Sequence, residues 1–240
     1  MAFKFLMPWE QSFQGNNAND TVLNFGGSNK SINVGEGDNL VYSIGNNTEA
    51  TSGNGDDTFV MLGSDQTIKS TGGDNWVLTG YGDDTISLGG GDDSVTSFGG
   101  NNTIGTGDGD DRITTGNGRD WLIGGGGDDV LSAGGGFNYM NGGEGDDTLI
   151  GKGTVMDAMT GGSGADLFDI SEAQGDVQIN DFSFAEGDVL RMDESIFGAA
   201  FYTGSLQQGN DAVVDYSGGT ITVKGFFSEG GININQIELV

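Results

Sequence analysis

The 240 residues contain no cysteine and no histidine, and only 8 lysines and arginines stand against 36 aspartates and glutamates. Without cysteine there is no disulfide framework, no thiolate metal site and no cysteine nucleophile. Without histidine there is no His-based triad, no His-ligated zinc and no HExxH motif. The scarce basic residues form no patch of the kind that phosphate binding needs, so nucleic acid is not an expected partner. No apolar run is long enough for a transmembrane segment. Met1 to Glu10, a short apolar run with one lysine, is broken by Pro8 and lacks the small-residue cleavage site of a secretory signal.

What is present is glycine, 48 residues of it, and a formal net charge of −28. Such a composition belongs to many disordered chains. Here, however, an apolar residue recurs every nine positions: Leu23, Ile32, Val41, Ala50, Phe59, Ile68, Val77, Ile86, Val95, Ile104, Ile113, Leu122, Leu131, Met140 and Leu149. Nine fits neither the helical period of about 3.6 nor strand alternation, so the unit is a strand plus a turn stacked on copies of itself. The expected fold class is all-β, a β-solenoid. Collagen is excluded because the glycines do not recur at every third residue.

The turns between these apolar positions read Gly-x-Gly-Asp-Asp at residues 53–57, 89–93, 107–111, 125–129 and 143–147. In this the chain resembles the RTX (repeats-in-toxin) family, whose nonapeptide G-G-x-G-x-D-x-U-x is a known calcium-binding repeat. The resemblance is strong over residues 34 to 170. It implies a right-handed parallel β-roll with a C-terminal β-cap, two nonapeptides to a turn, and residues eighteen apart stacked at about 4.8 Å. It also implies that the aspartate at the sixth position of each nonapeptide ligates calcium together with carbonyls of its own turn and of the turn eighteen residues away. Proteins of this kind leave bacteria by type I secretion with an uncleaved C-terminal signal, and the ending Ile237-Glu238-Leu239-Val240 is similar to some of those signals. The expected location is therefore extracellular or on a bacterial cell surface, with the type I secretion machinery as one partner.

Three parts are expected: an N-terminal cap over residues 1–20, the roll over 21–170, and over 171–240 a β-cap carrying the secretion signal. Strand-like runs in the last part are Val177 to Phe182, Asp188 to Met192, Ala212 to Tyr216, Thr220 to Phe227 and Ile232 to Val240. Along one edge of the roll, edge A, the expected metal-binding residues are Gly37 and Asn39; Gly53, Gly55 and Asp57; Gly73 and Asn75; Gly89, Gly91 and Asp93. They continue with Gly107, Gly109 and Asp111; Gly125, Gly127 and Asp129; Gly143, Gly145 and Asp147; and Gly162, Gly164 and Asp166. Edge B has Lys30, Thr48, Gln66, Asp84, Asn102, Asp120 and Asn138 at the sixth position, and contributes only Gly82 with Asp84 and Gly118 with Asp120.

Eight stacked edge-A turns leave seven gaps, hence up to seven calcium ions, with few or none on edge B. Unneutralised carboxylates about 5 Å apart repel by roughly 1 to 3 kcal/mol per pair, so calcium binding and folding are expected to be coupled. Extracellular modules typically bind calcium at about 10⁻⁴ to 10⁻³ M, which agrees with that location. No threonine ladder is present to support ice binding. Leu40, Tyr42, Val60, Trp76 and Leu78 on one face, and Trp121, Ile123 and Tyr139 on the other, are expected to point outward and to mark contact surfaces. The expected function is a non-catalytic structural, matrix, surface-layer or adhesive protein, self-assembling or attached to surface glycan. The alternative is a calcium-dependent carrier or polysaccharide-binding module serving a separate enzyme.

Overall fold

In a computed structural model that describes residues 3–194, 206–208, 211–226 and 236–240, the nine-residue unit becomes one strand and one tight turn. Alternate strands go to alternate sheets. Among the described residues, one sheet of 12 strands begins at Phe3–Phe5 and ends at Ile237–Leu239, and the facing sheet of 13 strands begins at Ser12–Gln14 and ends at Leu206–Gln208. Along the repeats neighbours in each sheet are parallel and mostly eighteen residues apart, as in Val77 beside Val95 and Val95 beside Ile113. The chain is thus a two-sheet parallel β-solenoid with turns stacked along both edges.

The apolar ladder fills the space between the sheets. Ile32, Val41, Ala50, Phe59, Ile68, Val77, Ile104, Ile113, Leu122, Leu131, Met140 and Leu149 are essentially inaccessible. One expected rung is corrected. The second step of the 12-stranded sheet spans nineteen residues, so Val22 pairs with Val41 and is buried, whereas Leu23 pairs with Tyr42 on the outer face. Other nineteen-residue steps place Phe13 beside Ile32 and Met159 beside Met140.

Parallel stacking continues past residue 170. Val189–Met192 lies on Leu167–Asp169, and Asp176–Ile179 lies on Met156–Ser163. Phe182, Phe184 and Phe226 pack over Phe168 where the coils lengthen. The antiparallel strands Leu206–Gln208, Asp211–Asp215 and Thr220–Val223 then finish the 13-stranded sheet. Of the strand-like runs expected there, Phe227 and residues 232–235 lie outside the described residues. At the other end Phe3–Phe5 pairs with Thr21–Asn24, so residues 3–14 form a first coil on the stack. Among the described residues no helix is long and apolar enough to cross a membrane.

Candidate metal site along the turns

Two residues before each ladder position the chain enters its strand, and the side chain there turns back into the stack. On edge A these residues are Asp20, Asn39, Asp57, Asn75, Asp93, Asp111, Asp129, Asp147, Asp166 and Asp188, all buried. Each Oδ1 from Asn39 onward accepts the backbone N–H of the residue one coil earlier, at 2.7 to 3.1 Å. The neighbouring fifth-position column runs the other way. Oδ1 of Asp38, Asp56, Asp74, Asp92, Asp110, Asp128 and Asp146 accepts the N–H one coil later, at 2.8 to 3.2 Å. Those outer carboxylates are exposed and satisfy turn amides that have no other partner in the ladder.

The inner column differs in its second oxygen. Oδ2 of Asp57, Asp93, Asp111, Asp129 and Asp147 on edge A, and of Asp84 and Asp120 on edge B, is buried and accepts no hydrogen bond. A buried carboxylate oxygen without a donor costs about 1 to 3 kcal/mol or more, and native folds rarely leave seven such atoms. Burial accordingly raises these carboxyls. Asp93 and Asp129 are pushed up to about 7, with Asp111 adding its negative charge to both; Asp84, Asp147 and Asp166 rise to about 6.

Glycines line the same space. Most of the expected turn glycines, including Gly55, Gly73, Gly91, Gly109, Gly127, Gly145 and Gly164, have positive φ; Gly53, Gly89 and Gly118 do not. At Gly89 and Gly118 closeness, not dihedral angle, excludes a side chain: a Cβ there would strike the carbonyls of Thr71 and Gly100. A Cβ on Gly124 or Gly142 would strike Oδ2 of Asp129 or Asp147. Among the described residues no three acidic side chains converge on one point. A cation here must therefore be completed by turn carbonyls, and the hard oxygen donors of carboxylate and carbonyl suit calcium. The donor set fits that ion.

All the expected edge-A Asp and Asn residues stand in one column, and edge B contains a second, shorter column of the same kind. There Oδ1 of Asp84, Asn102, Asp120 and Asn138 accepts the N–H of the preceding coil, at 2.8 to 3.2 Å. Three column members and one neighbouring carboxylate, Asp181, escaped the sequence reading. Asp20 and Asp188 extend edge A at both ends. Asp157 extends edge B, where it accepts from Gly153 N–H and Asn138 Nδ2 and is raised to about 6 by burial. Asp181 accepts the N–H groups of Gly161 and Gly162. A simple signal finds three of them: an Asx two residues before the ladder residue, as Asp20 precedes Val22, Asp157 precedes Met159 and Asp188 precedes Leu190.

Comparison with known families agrees with this geometry. The RTX calcium-binding nonapeptide repeat matches four times, at residues 69–104, 96–131, 105–140 and 123–153. Residues 69 to 153 carry this repeat, and with it calcium binding. No curated protein matches the chain.

Proposed function

We propose that this is a secreted, non-catalytic calcium-binding protein whose roll forms on calcium and serves as a structural, matrix, surface-layer or adhesive component. The observation that carries the calcium reading is the column of buried Oδ2 atoms with no donor, set among turn carbonyls and within the matched repeats. When bound, calcium supplies positive charge to carboxylates that the fold has removed from water. Asp93, Asp111, Asp129 and Asp147 hold it, and the glycines keep the space open. Extracellular export through type I machinery accords with the repeat family. Circular dichroism tests the coupling: β-structure should increase when calcium is added to chelated protein, with magnesium much less effective because it demands tight octahedral geometry. An unchanged spectrum from excess chelator to millimolar calcium would contradict the reading.

The structural role rests on the outer face of the 12-stranded sheet. Leu40 and Trp76 are exposed, with Tyr42, Val60 and Leu78 half-buried beside them. The rings of Phe3, Phe5, Phe25 and Tyr42 follow one another at 5.0, 6.0 and 5.6 Å, so the N-terminal aromatics lengthen this patch and leave Leu40 and Trp76 open. A contiguous apolar strip of this kind on a chain of −28 favours contact with a second copy once cations lower the repulsion. Replacing Trp76 and Leu78 together by Ser should reduce calcium-dependent self-association, read by light scattering, while the calcium-induced β-signal stays. Association equal to that of the parent chain would remove the strip from the argument.

A second reading, a polysaccharide-binding or carrier module serving a separate enzyme, is favoured by one place on the opposite sheet. Trp121 and Tyr139 lie with ring centroids 4.3 Å apart, and the Arg119 guanidinium sits 5.2 Å from the Phe137 ring. With Asn101 and Thr103 they line a shallow cleft. Such a platform suits a sugar ring stacked on an aromatic face, and glycan binding lost on Trp121→Ala would favour this reading over assembly.

A further inference from the structure

The Asp and Asn residues of the inner columns are not interchangeable fillings of one position. Oδ1 takes the N–H of the previous coil in both residue types, so the second branch atom turns into the inside of its own turn, where Oδ2 of Asp129 and Asp147 lies against Gly124 and Gly142. In an Asn rung that atom is a donor. Asn75 Nδ2 donates to the carbonyl of Gly73 in its own turn at 2.7 Å and to Oδ1 of Asp93 in the next at 2.9 Å. Asn39 does the same between Gly37 and Asp57, as does Asn102 between Gly100 and Asp120. Asn138 bridges Gly134 and Asp157, each at 2.9 Å. In an Asp rung the same atom is Oδ2, which accepts no hydrogen bond in Asp93, Asp111, Asp129 and Asp147, although the Thr106 hydroxyl faces the Asp111 carboxylate.

We propose, resting on the calcium reading above, that these four asparagines are built-in plugs: their amide groups bridge carbonyl and carboxylate as a cation otherwise would, and exclude calcium from their gaps. Edge A then has two regimes. The gaps led by Asn39 and Asn75 close without metal. From Asp93 onward the column is carboxylate only, and four successive gaps, Asp93/Asp111, Asp111/Asp129, Asp129/Asp147 and Asp147/Asp166, have a carboxylate on both sides and a leading Oδ2 with no donor. Those four need the ion. Of the seven edge-A gaps expected from the sequence, two are removed, and the one left beside those four, Asp57/Asn75, has a carboxylate on one side only. Edge B beside the same coils is plugged at Asn102 and Asn138, so calcium clamps the late coils chiefly along one edge.

The asymmetry has a physical consequence in the metal-free chain. Where an amide bridges the gap, a coil can dock on its neighbour with every inner group paired; where two carboxylates face each other, docking buries charge without compensation. Early coils should therefore retain their turns in chelator when late edge-A turns do not.

Isothermal titration calorimetry and hydrogen exchange on the whole chain test this together. Asn75→Asp, which keeps the shape and removes the donor, should raise the calcium stoichiometry by one and make the Gly73–Asn75 turn calcium-dependent. Asp111→Asn should lower the stoichiometry by one while the calcium-loaded roll still forms. In chelator, amides at Gly37–Asn39 and Gly73–Asn75 should exchange more slowly than those at Gly109–Asp111 and Gly127–Asp129, and calcium should level the difference. An Asn75→Asp chain with unchanged stoichiometry, or equal exchange of early and late turns in chelator, overturns the plug. A parent chain that binds no calcium overturns the calcium reading itself and the plug with it.

Discussion

Replacing Asp111 by Ala should raise the calcium midpoint of folding by at least about tenfold, the largest effect expected of any single substitution in the roll. Asp111 is the middle carboxylate of the run from Asp93 to Asp166, so it faces two gaps at once. Its Oδ1 accepts the Asp93 N–H at 2.7 Å and its own N–H is held by Asp129 at 2.8 Å. Alanine removes a charged oxygen from both gaps and orphans a buried amide. A tenfold shift is about 1.4 kcal/mol, and loss of one hydrogen bond to a charged group alone is worth about 1.5 to 3. Asp120→Ala should behave differently. Its Oδ1 accepts both the backbone N–H and the side-chain amide of Asn102, each at 2.9 Å, so the loss is of hydrogen bonds on the plugged edge. Stability should fall by about 1 to 3 kcal/mol in calcium-loaded chain with little change in the calcium midpoint. Calcium titrations followed by circular dichroism, paired with urea unfolding in saturating calcium, separate the two. Equal midpoint shifts in both variants would mean that the edges do not differ.

The ladder was legible because burial imposes it: every strand turns a side chain inward at the ladder position, and a nine-residue period puts it at the same place each time, while the inward position two residues later is polar as often as apolar, as in Ser43, Thr79 and Ser97 against Val34 and Met61. Leu23 was misplaced for the same reason. The period was extended one step too far, into a coil with an extra residue, and only the pairing of Val22 with Val41 shows which of two adjacent apolar residues turns inward. The site was legible as a composition of turns and less so as a network. Sequence shows Asn75 and Asp93 at equivalent positions, but not that one presents a donor and the other an acceptor to the same gap, because that depends on which branch atom takes the N–H of the preceding coil. Asp188 was hidden by the long step from Asp166, which breaks the period while the hydrogen bond between them, 3.0 Å, continues the column.

Acid should substitute for calcium. In the metal-free roll burial pushes Asp93, Asp129 and Asp188 up to about 7 and Asp84, Asp147, Asp157 and Asp166 up to about 6, from an ordinary value of 3.8. A group whose carboxyl is raised on folding binds its proton more tightly in the folded state. Its stabilisation is complete below about pH 4, and it is lost as pH rises through 6 and 7. At about 1.4 kcal/mol per pH unit, Asp93 and Asp129 each disfavour the ionised, metal-free roll by on the order of 4 kcal/mol at pH 8. Two such groups sum to on the order of 8 kcal/mol, comparable with a marginal stability of about 5 to 15 kcal/mol. Chelated chain should therefore gain β-structure when pH is lowered from 8 to 5, and calcium added at pH 5 should produce a smaller further change and release protons. The position of the transition identifies the groups. Protonation of ordinary carboxylates would relieve the charge of −28 only near pH 4. Circular dichroism of the chelated chain across this range should place the midpoint between pH 5 and 7. A midpoint near 4 would assign acid folding to general charge relief, and a chain equally folded at pH 8 and pH 5 in chelator would show that the inner carboxylates never opposed the fold.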